Sequence, residues 1–295
     1  MDAIESEEKQ AVVDTAIAGI SHIATLPEIT LKIIELVEDP TSTAQDLHNI
    51  ISNDQALCSR ILKVVNSAFY GLPRQIGSIN RAIVLLGLNA VKNIAIAASL
   101  TKLFRGGEMC PQFAARDLWT HSIAVAAGSK LICDELKMGL ADEAFLAGLI
   151  HDIGIMVEVQ AMRHELVTVF EEMTFDDDNV PTCNMREIET RILGADHQAF
   201  GAGLCDAWKF PQSFSYVTGH HHDPTELPEP NRTLTSIVYV ADRLAGQADY
   251  GFRGDLESLE IVPDVLDEIQ LSAEKLAVIK SNLPEAFEEI EAMFG

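Results

Sequence analysis

Every strong hydrophobic period in this chain is helical, and that restricts what it can fold into. In "EITLKIIELV" the apolar residues Ile29, Ile33, Leu36 and Val37 recur at i, i+4, i+7 and i+8, which places them on one helix face. "NDQALCSRILKVVNSAFY" repeats the pattern through Leu57, Ile61, Val64 and Val65, with Asn53 as its expected N-cap. Between these two, Ser42-x-x-Gln45 reads as a capping box for a short helix carrying Leu47, Ile50 and Ile51. Composition agrees: 47% of residues are hydrophobic but only 6% aromatic, a mix that favours packed helices over a β-sandwich. The expected fold is all-α, a multi-helix bundle with an N-terminal helical subdomain.

Turn chemistry divides the chain. "GLPRQIG" ends one helix, and "RGGEMCP" at 105–111 is the clearest internal boundary. The resulting organisation is a flexible acidic segment at 1–14, a helical subdomain at 15–108, a second at 109–250 and an acidic helical extension at 251–295. "TFDDDNVPTCN" (174–184) reads as an exposed loop, and "MREIETRILGADHQAFGAGLCDAW" as one long helix.

The net charge of −24 argues against nucleic acid and anionic membranes as partners, because phosphate affinity comes mainly from Lys and Arg. "MDAIESEEKQ" lacks the basic and apolar regions of a secretory signal. The longest apolar stretch read from sequence, Ala82 to Leu100, is interrupted by Gly87, Asn89, Lys92 and Asn93, so no membrane span is expected. Five cysteines at least 22 residues apart form no CxxC pair and no disulfide framework, which suits a reducing cytoplasm.

The polar residues that stand out are histidines and aspartates. Of nine histidines, seven fall between 121 and 222. His151-Asp152 interrupts the apolar run "FLAGLIHDIGIM", His121 lies in "LWTHSIAVA", and Asp242 lies in "YVADRLA". Burying an ionised carboxylate beside an imidazole is costly unless both have partners. A shared divalent cation would supply one, and a set of nitrogen and oxygen donors without thiolate suits Fe, Mn, Zn or Ni, as one ion or two. Gly154 fits a helix end that lets His151 and Asp152 reach one site together.

The order H…HD…H…HH…D resembles the HD superfamily of metal-dependent phosphohydrolases. More closely, "ATLPEITLKIIELVEDP", "DLHNIISNDQALCSRILKVVNSAFYGLP", "SINRAIVLLGLNAVKNIA", "AFLAGLIHDIGIMV", "HQAFGAGLCDAWKFP" and "GHHHDP" resemble the HDOD domain proteins, HD-related output domains of bacterial signalling, across residues 17 to 250. The resemblance implies an HD-superfamily-like bundle and the metal ligands His121, His151, Asp152, His197, His221, His222 and Asp242, with His220-His221 as the alternative pair. It also implies a signalling protein as partner. If the chain hydrolyses a small phosphoester, Asp152 and His151 are the catalytic candidates. Ile155 stands where the related cyclic-dinucleotide phosphodiesterases carry lysine, and no Gly-Tyr-Pro follows the paired histidines. The basic residues near the motifs in sequence, Arg163, Lys209 and Arg243, read as surface groups.

Overall fold

Capping side chains set the helix boundaries of the N-terminal half. In the computed structural model, which describes residues 3–20, 28–38, 41–101, 103–104, 108–177 and 180–294, helix α1 spans Ala3–Gly19 and α2 spans Glu28–Glu38. Helix α3 (Ala44–Ser52) starts at a capping box one residue beyond the expected one: Thr43 caps the backbone of Asp46, whose carboxylate returns to the Thr43 N–H. Asn53 closes α3, and Asp54 is the N-cap of α4 (Gln55–Val65). Either residue could cap by type; the turn that ends α3 takes up Asn53 first. Helices α5 (Ile79–Leu86) and α6 (Leu88–Leu100) follow, separated by Gly87. Residues 24–27 and 39–40 of the family-like run, and 105–107 of the internal boundary, lie outside the described residues.

A two-stranded antiparallel ribbon, β1 (Glu108–Cys110) and β2 (Phe113–Ala114), leads into α7 (Ala115–Leu136). Then come α8 (Ala141–Ile150), α9 (Ile153–Ala161), α10 (Arg163–Glu172), α11 (Met185–Leu193), α12 (His197–Ala207), α13 (Gln212–His220), α14 (Thr233–Gln247), α15 (Pro263–Glu268) and α16 (Ala273–Phe294). The expected all-α class is what the structure has.

Helix α7 is the spine of the second half, packed by α8, α14 and α16, while α12 packs on α9, α13 and α1. Helix α6 lies against α8 and joins the two halves. Helix α16 binds them again, with Lys63 donating to the Ala292 carbonyl at 2.7 Å. The stretch Ala141–Ala161 has the length and apolarity of a membrane span, but 83% of its apolar 18-residue window is buried inside the protein, where it forms core rather than an outer face.

Two sequence expectations change and a third is extended. Residues 7–14 are not frayed: α1 docks on α12, Val13 is buried, and Lys9 pairs with Asp196 at 3.1 Å. The single long helix expected around His197 is two, because Gly194 takes the left-handed conformation (φ 86°) after α11 and Asp196 caps α12. The helix break expected near Gly154 is there, between α8 and α9, but Gly154 itself is the second residue of α9 and has a further role. A Cβ there would sit 1.8 Å from the His197 carbonyl oxygen, so glycine is what lets α9 and α12 approach.

Candidate metal centre

Six helices and one loop deliver buried ionisable groups to the centre of the second half. His121 comes from α7, His151 and Asp152 from the break between α8 and α9, His197 from the first turn of α12, His221 and His222 from the end of α13, and Asp242 from α14. That break explains how neighbours His151 and Asp152 serve one site: leaving the helix frees their side chains from the 100° spacing of a regular helix. All seven are buried, His222 being the most accessible at 6%.

Asp152 lies at the middle. Its Oδ2 is 3.2 Å from His151 Nε2, while its Oδ1 is 3.1 Å from His221 Nε2 and 3.9 Å from His197 Nε2. On one side, Asp242 Oδ1 is 3.0 Å from His121 Nε2 and 4.0 Å from His151 Nε2. On the other, His197 Nε2 and His222 Nε2 are 3.0 Å apart, a separation at which two ring nitrogens must share a proton or a cation. His220 stands apart, part-exposed, with its ring 3.5 Å from Glu226 on the surface.

The sequence reading missed Asp255. It lies in the loop after α14, is 5% exposed, and places Oδ2 3.3 Å from His222 Nε2. A faint signal was available, a lone acid between Phe252 and Leu256 in a glycine-bearing stretch. Also missed was Glu189, a fully buried carboxylate on α11. It accepts from the His197 backbone N–H at 3.0 Å and from His197 Nδ1 at 2.8 Å.

The donor set fits a metal. Four imidazoles place Nδ1 within hydrogen-bonding distance of an acceptor on the protein: His121 with the Tyr250 carbonyl, His151 with Gly148, His221 with Val217 and Thr218, and His197 with Glu189. Donation from Nδ1 leaves each Nε2 free as a ligand facing the centre, the usual arrangement around metal-binding histidine. His151 Nε2, His221 Nε2 and both oxygens of Asp152 and Asp255 are buried without a well-aligned hydrogen-bond partner. Donor atoms group within 4.8 Å of one another in three overlapping sets: His121, His151 and Asp242; His151, Asp152 and His221; and His197, His221, His222 and Asp255.

In the metal-free protein these groups strain one another. Burial opposes charge on His151 and His197, but Asp152 beside the first and Glu189 beside the second overcome it and raise them to about 9 and about 10. Burial, reinforced by the neighbouring imidazoles, lowers His221 to about 4 and holds His222 well below its usual range. Burial also works against ionisation of Asp152, yet His151 and His221 hold it well below the carboxylate range. Asp255 goes the other way, pushed by burial and by Asp152 and Asp242 to about 7. Buried neutral and charged imidazoles thus sit side by side, a conflict that a cation in the centre would relieve.

The basic residues divide differently from expectation. Arg163 and Lys209 are exposed, but Arg243 is not a surface group. It is 7% exposed, stacked over the Tyr239 ring at 3.4 Å from its centroid, with Nη1 3.4 Å from Asp242. Its Cα lies one residue past Asp242 on α14, so the turn that buries Asp242 draws Arg243 in beside it. Arg186, unremarked in the sequence, bonds Gln198 and Asp223 at 2.8 and 2.7 Å and adds positive charge near His222.

Residues 23–224 match the HDOD domain family. The chain belongs to it. This HDOD protein is 26% identical over 227 residues to an uncharacterised protein of Treponema pallidum (strain Nichols), a match covering 76% of the present chain but only 42% of that longer one. Its fold resembles the crystal structure of an HDOD domain protein of unknown function from Geobacter sulfurreducens, with a TM-score of 0.77, 24% identity and coverage of 98% and 99% of the two chains. It also resembles a protein from Marinobacter aquaeolei VT8 named for signal transduction, with a TM-score of 0.74, 21% identity and coverage of 97% of this chain and 65% of that one. The family match leaves Asp242 and Asp255 beyond its end, although both close the site in space.

Proposed function

We propose that this HDOD protein is a bacterial signal-transduction module that carries a buried divalent transition-metal centre and acts by contact with a partner protein. His121, His151, Asp152 and Asp242 would hold one ion. His197, His221, His222 and Asp255 would hold a second, with Asp152 facing both. The observation that carries the regulatory reading is closure. No ligand side chain exceeds 6% exposure, and Phe145, Ile155 and Met156, which flank the His-Asp pair in sequence, are buried. One cleft of about 490 Å³ lies beside Val12, Ala16 and Met162, and one of about 390 Å³ reaches Gly254, next to Asp255, but none of the ligands lines either. A substrate needs a concave, accessible site.

One observation favours a second reading, metal-dependent phosphohydrolysis. The least buried ligands, His222 and Asp255, share their side of the centre with Arg186 and Arg243, the kind of cations that grip a phosphoryl group. A divalent cation held here would supply Lewis-acid polarisation of a phosphoryl oxygen. The protein would contribute the arginines, placed beside His222 and Asp242.

Metal analysis by mass spectrometry together with a phosphomonoester and phosphodiester screen decides between them. The module is expected to hold one to two equivalents of Fe, Mn, Zn or Ni, lost in His151→Ala/Asp152→Ala, without turnover above that variant. Turnover that disappears with the ligands would establish the enzyme. Metal-free protein, unchanged by the double substitution, would remove the enzyme and the metal centre and leave partner contact as the function to test.

A further inference from the structure

Residues 55–107 contain seven Lys and Arg and not one Asp or Glu, in a chain whose net charge is −24. Two of these cations are used internally. Lys92 donates to the Leu36 carbonyl at 2.9 Å and to Ser42 at 3.3 Å, and Lys63 holds the end of α16. Arg74 and Arg81 are exposed, and neither pairs with a carboxylate among the described residues.

Arg81 belongs to α5, whose inner face (Ile79, Ala82 and Ile83) is buried against α3, α4 and α6. Its outer face places Arg81, Val84 and Leu85 at i, i+3 and i+4, one stripe of the helix. Val84 is 75% exposed and Leu85 46%. Solvent-facing stripes are ordinarily polar, and single exposed apolar residues need no explanation. Two adjacent ones beside an unpaired arginine, in the acid-free part of an acidic protein, are a different matter.

We propose that the outer face of α5 docks an acidic amphipathic helix of a partner protein, its apolar stripe seated on Val84 and Leu85 and a carboxylate meeting Arg81. The inference rests on the regulatory-module reading and names the partner's chemistry. Charge selects that occupant. A symmetric contact between two copies would bury both Arg81 side chains in one interface without supplying a carboxylate from the acid-free stretch 55–107. The chain as a whole is strongly acidic, so electrostatics favours approach of an acidic helix at a face that carries an arginine. The patch is small, which suits a transient, micromolar encounter rather than a permanent complex.

The test uses the full chain as bait for a phage-displayed library of random helical peptides. Enriched sequences are expected to be rich in Asp and Glu, with Leu, Ile or Phe at helical spacing. A synthetic consensus peptide should bind the wild type, weaken with added salt, and lose at least about tenfold in affinity on Val84→Glu/Leu85→Glu and on Arg81→Glu. No enrichment, no acidic bias, or equal affinity for the variants would overturn the proposal. So would a dimer in sedimentation velocity that Val84→Glu disperses, since that assigns the face to a second copy. These side chains point outward, so unchanged helical melting is the control for folding. Metal content and phosphoesterase turnover of the same samples test the parent reading separately: metal-dependent turnover in the wild type would remove that reading, while the peptide result still decides this one.

Discussion

The two halves of the molecule bury helices in the same way and fill the middle differently. Between α3, α4, α5 and α6 the core is Leu, Ile, Val and Ala, with Lys92 as its one buried charge among the described residues. Between α7, α9, α12, α13 and α14 the core holds five histidines and three aspartates, with Glu158 and Glu189 behind them. Apolar contacts stabilise the first region whatever the solution contains. The second has apolar contacts too, but its centre is stabilised only as far as the charges there satisfy one another, or a cation satisfies them all. One half is therefore expected to respond to truncation of side chains, the other to chelators and pH.

The largest effect that would sharpen this contrast is Asp152→Ala. It removes the carboxylate facing both groups of imidazoles, so both equivalents of metal should be lost, with destabilisation of about 3–5 kcal/mol. Metal analysis and denaturant unfolding check it. Leu47→Ala, fully buried in α3, should destabilise by about 2–5 kcal/mol and leave metal content untouched. If Leu47→Ala strips the metal, the halves are not independent in the sense argued.

Gly154→Ala tests the helix crossing under the site. The added methyl collides with the His197 backbone, and a loss of about 1–3 kcal/mol is expected, with weaker metal binding because His197 is displaced. Unchanged stability by urea titration would mean α9 and α12 can part freely.

The pH response should separate metal-free from loaded protein. His151 and His197 are raised in the folded state, to about 9 and about 10. Their contribution is complete below the unfolded value of roughly 6.5 and is lost as pH rises through 9 and 10. His221, lowered to about 4, acts oppositely: its contribution is lost as pH falls from roughly 6.5 toward 4. Metal-free protein should therefore lose stability from pH 7 to 10, whereas metal binding strengthens as protons leave the ligands. The gap in Tm between the two forms should widen with pH in a calorimetric series; a constant gap would contradict the ligand assignment.

The smallest effect is expected from His220→Ala. Its ring is part-exposed and faces Glu226, so metal content should not change and Tm should move little. Loss of metal would restore the alternative pairing of His220 with His221.

Much of this was readable in the chain. The helical periods gave the fold class, because a 3.6-residue repeat of apolar side chains has few other uses. His121, His151 and Asp242 could be singled out because a polar group in an apolar helix needs a partner. The same logic applied to Glu158, alone in "GIMVEVQA", would have flagged a further buried acid; burial and the nearby Glu189 keep its carboxyl protonated well above the usual range. Asp255 left only a faint signal: it sits in an irregular loop, where no period predicts which residues turn inward. Gly154 marked the helix break correctly, but glycine also serves close crossings, and only the neighbouring helix reveals that second role.

By itself, then, the sequence determined the helices, the family and the chemical identity of the donors, since each follows from local order along the chain. Only the tertiary structure decided that the donors meet around Asp152, that Asp255 and Glu189 join them, that Arg243 turns inward, and that the centre is closed. Those facts depend on the angle and spacing at which helices far apart in sequence cross, which are set by packing across the whole core rather than by any one segment.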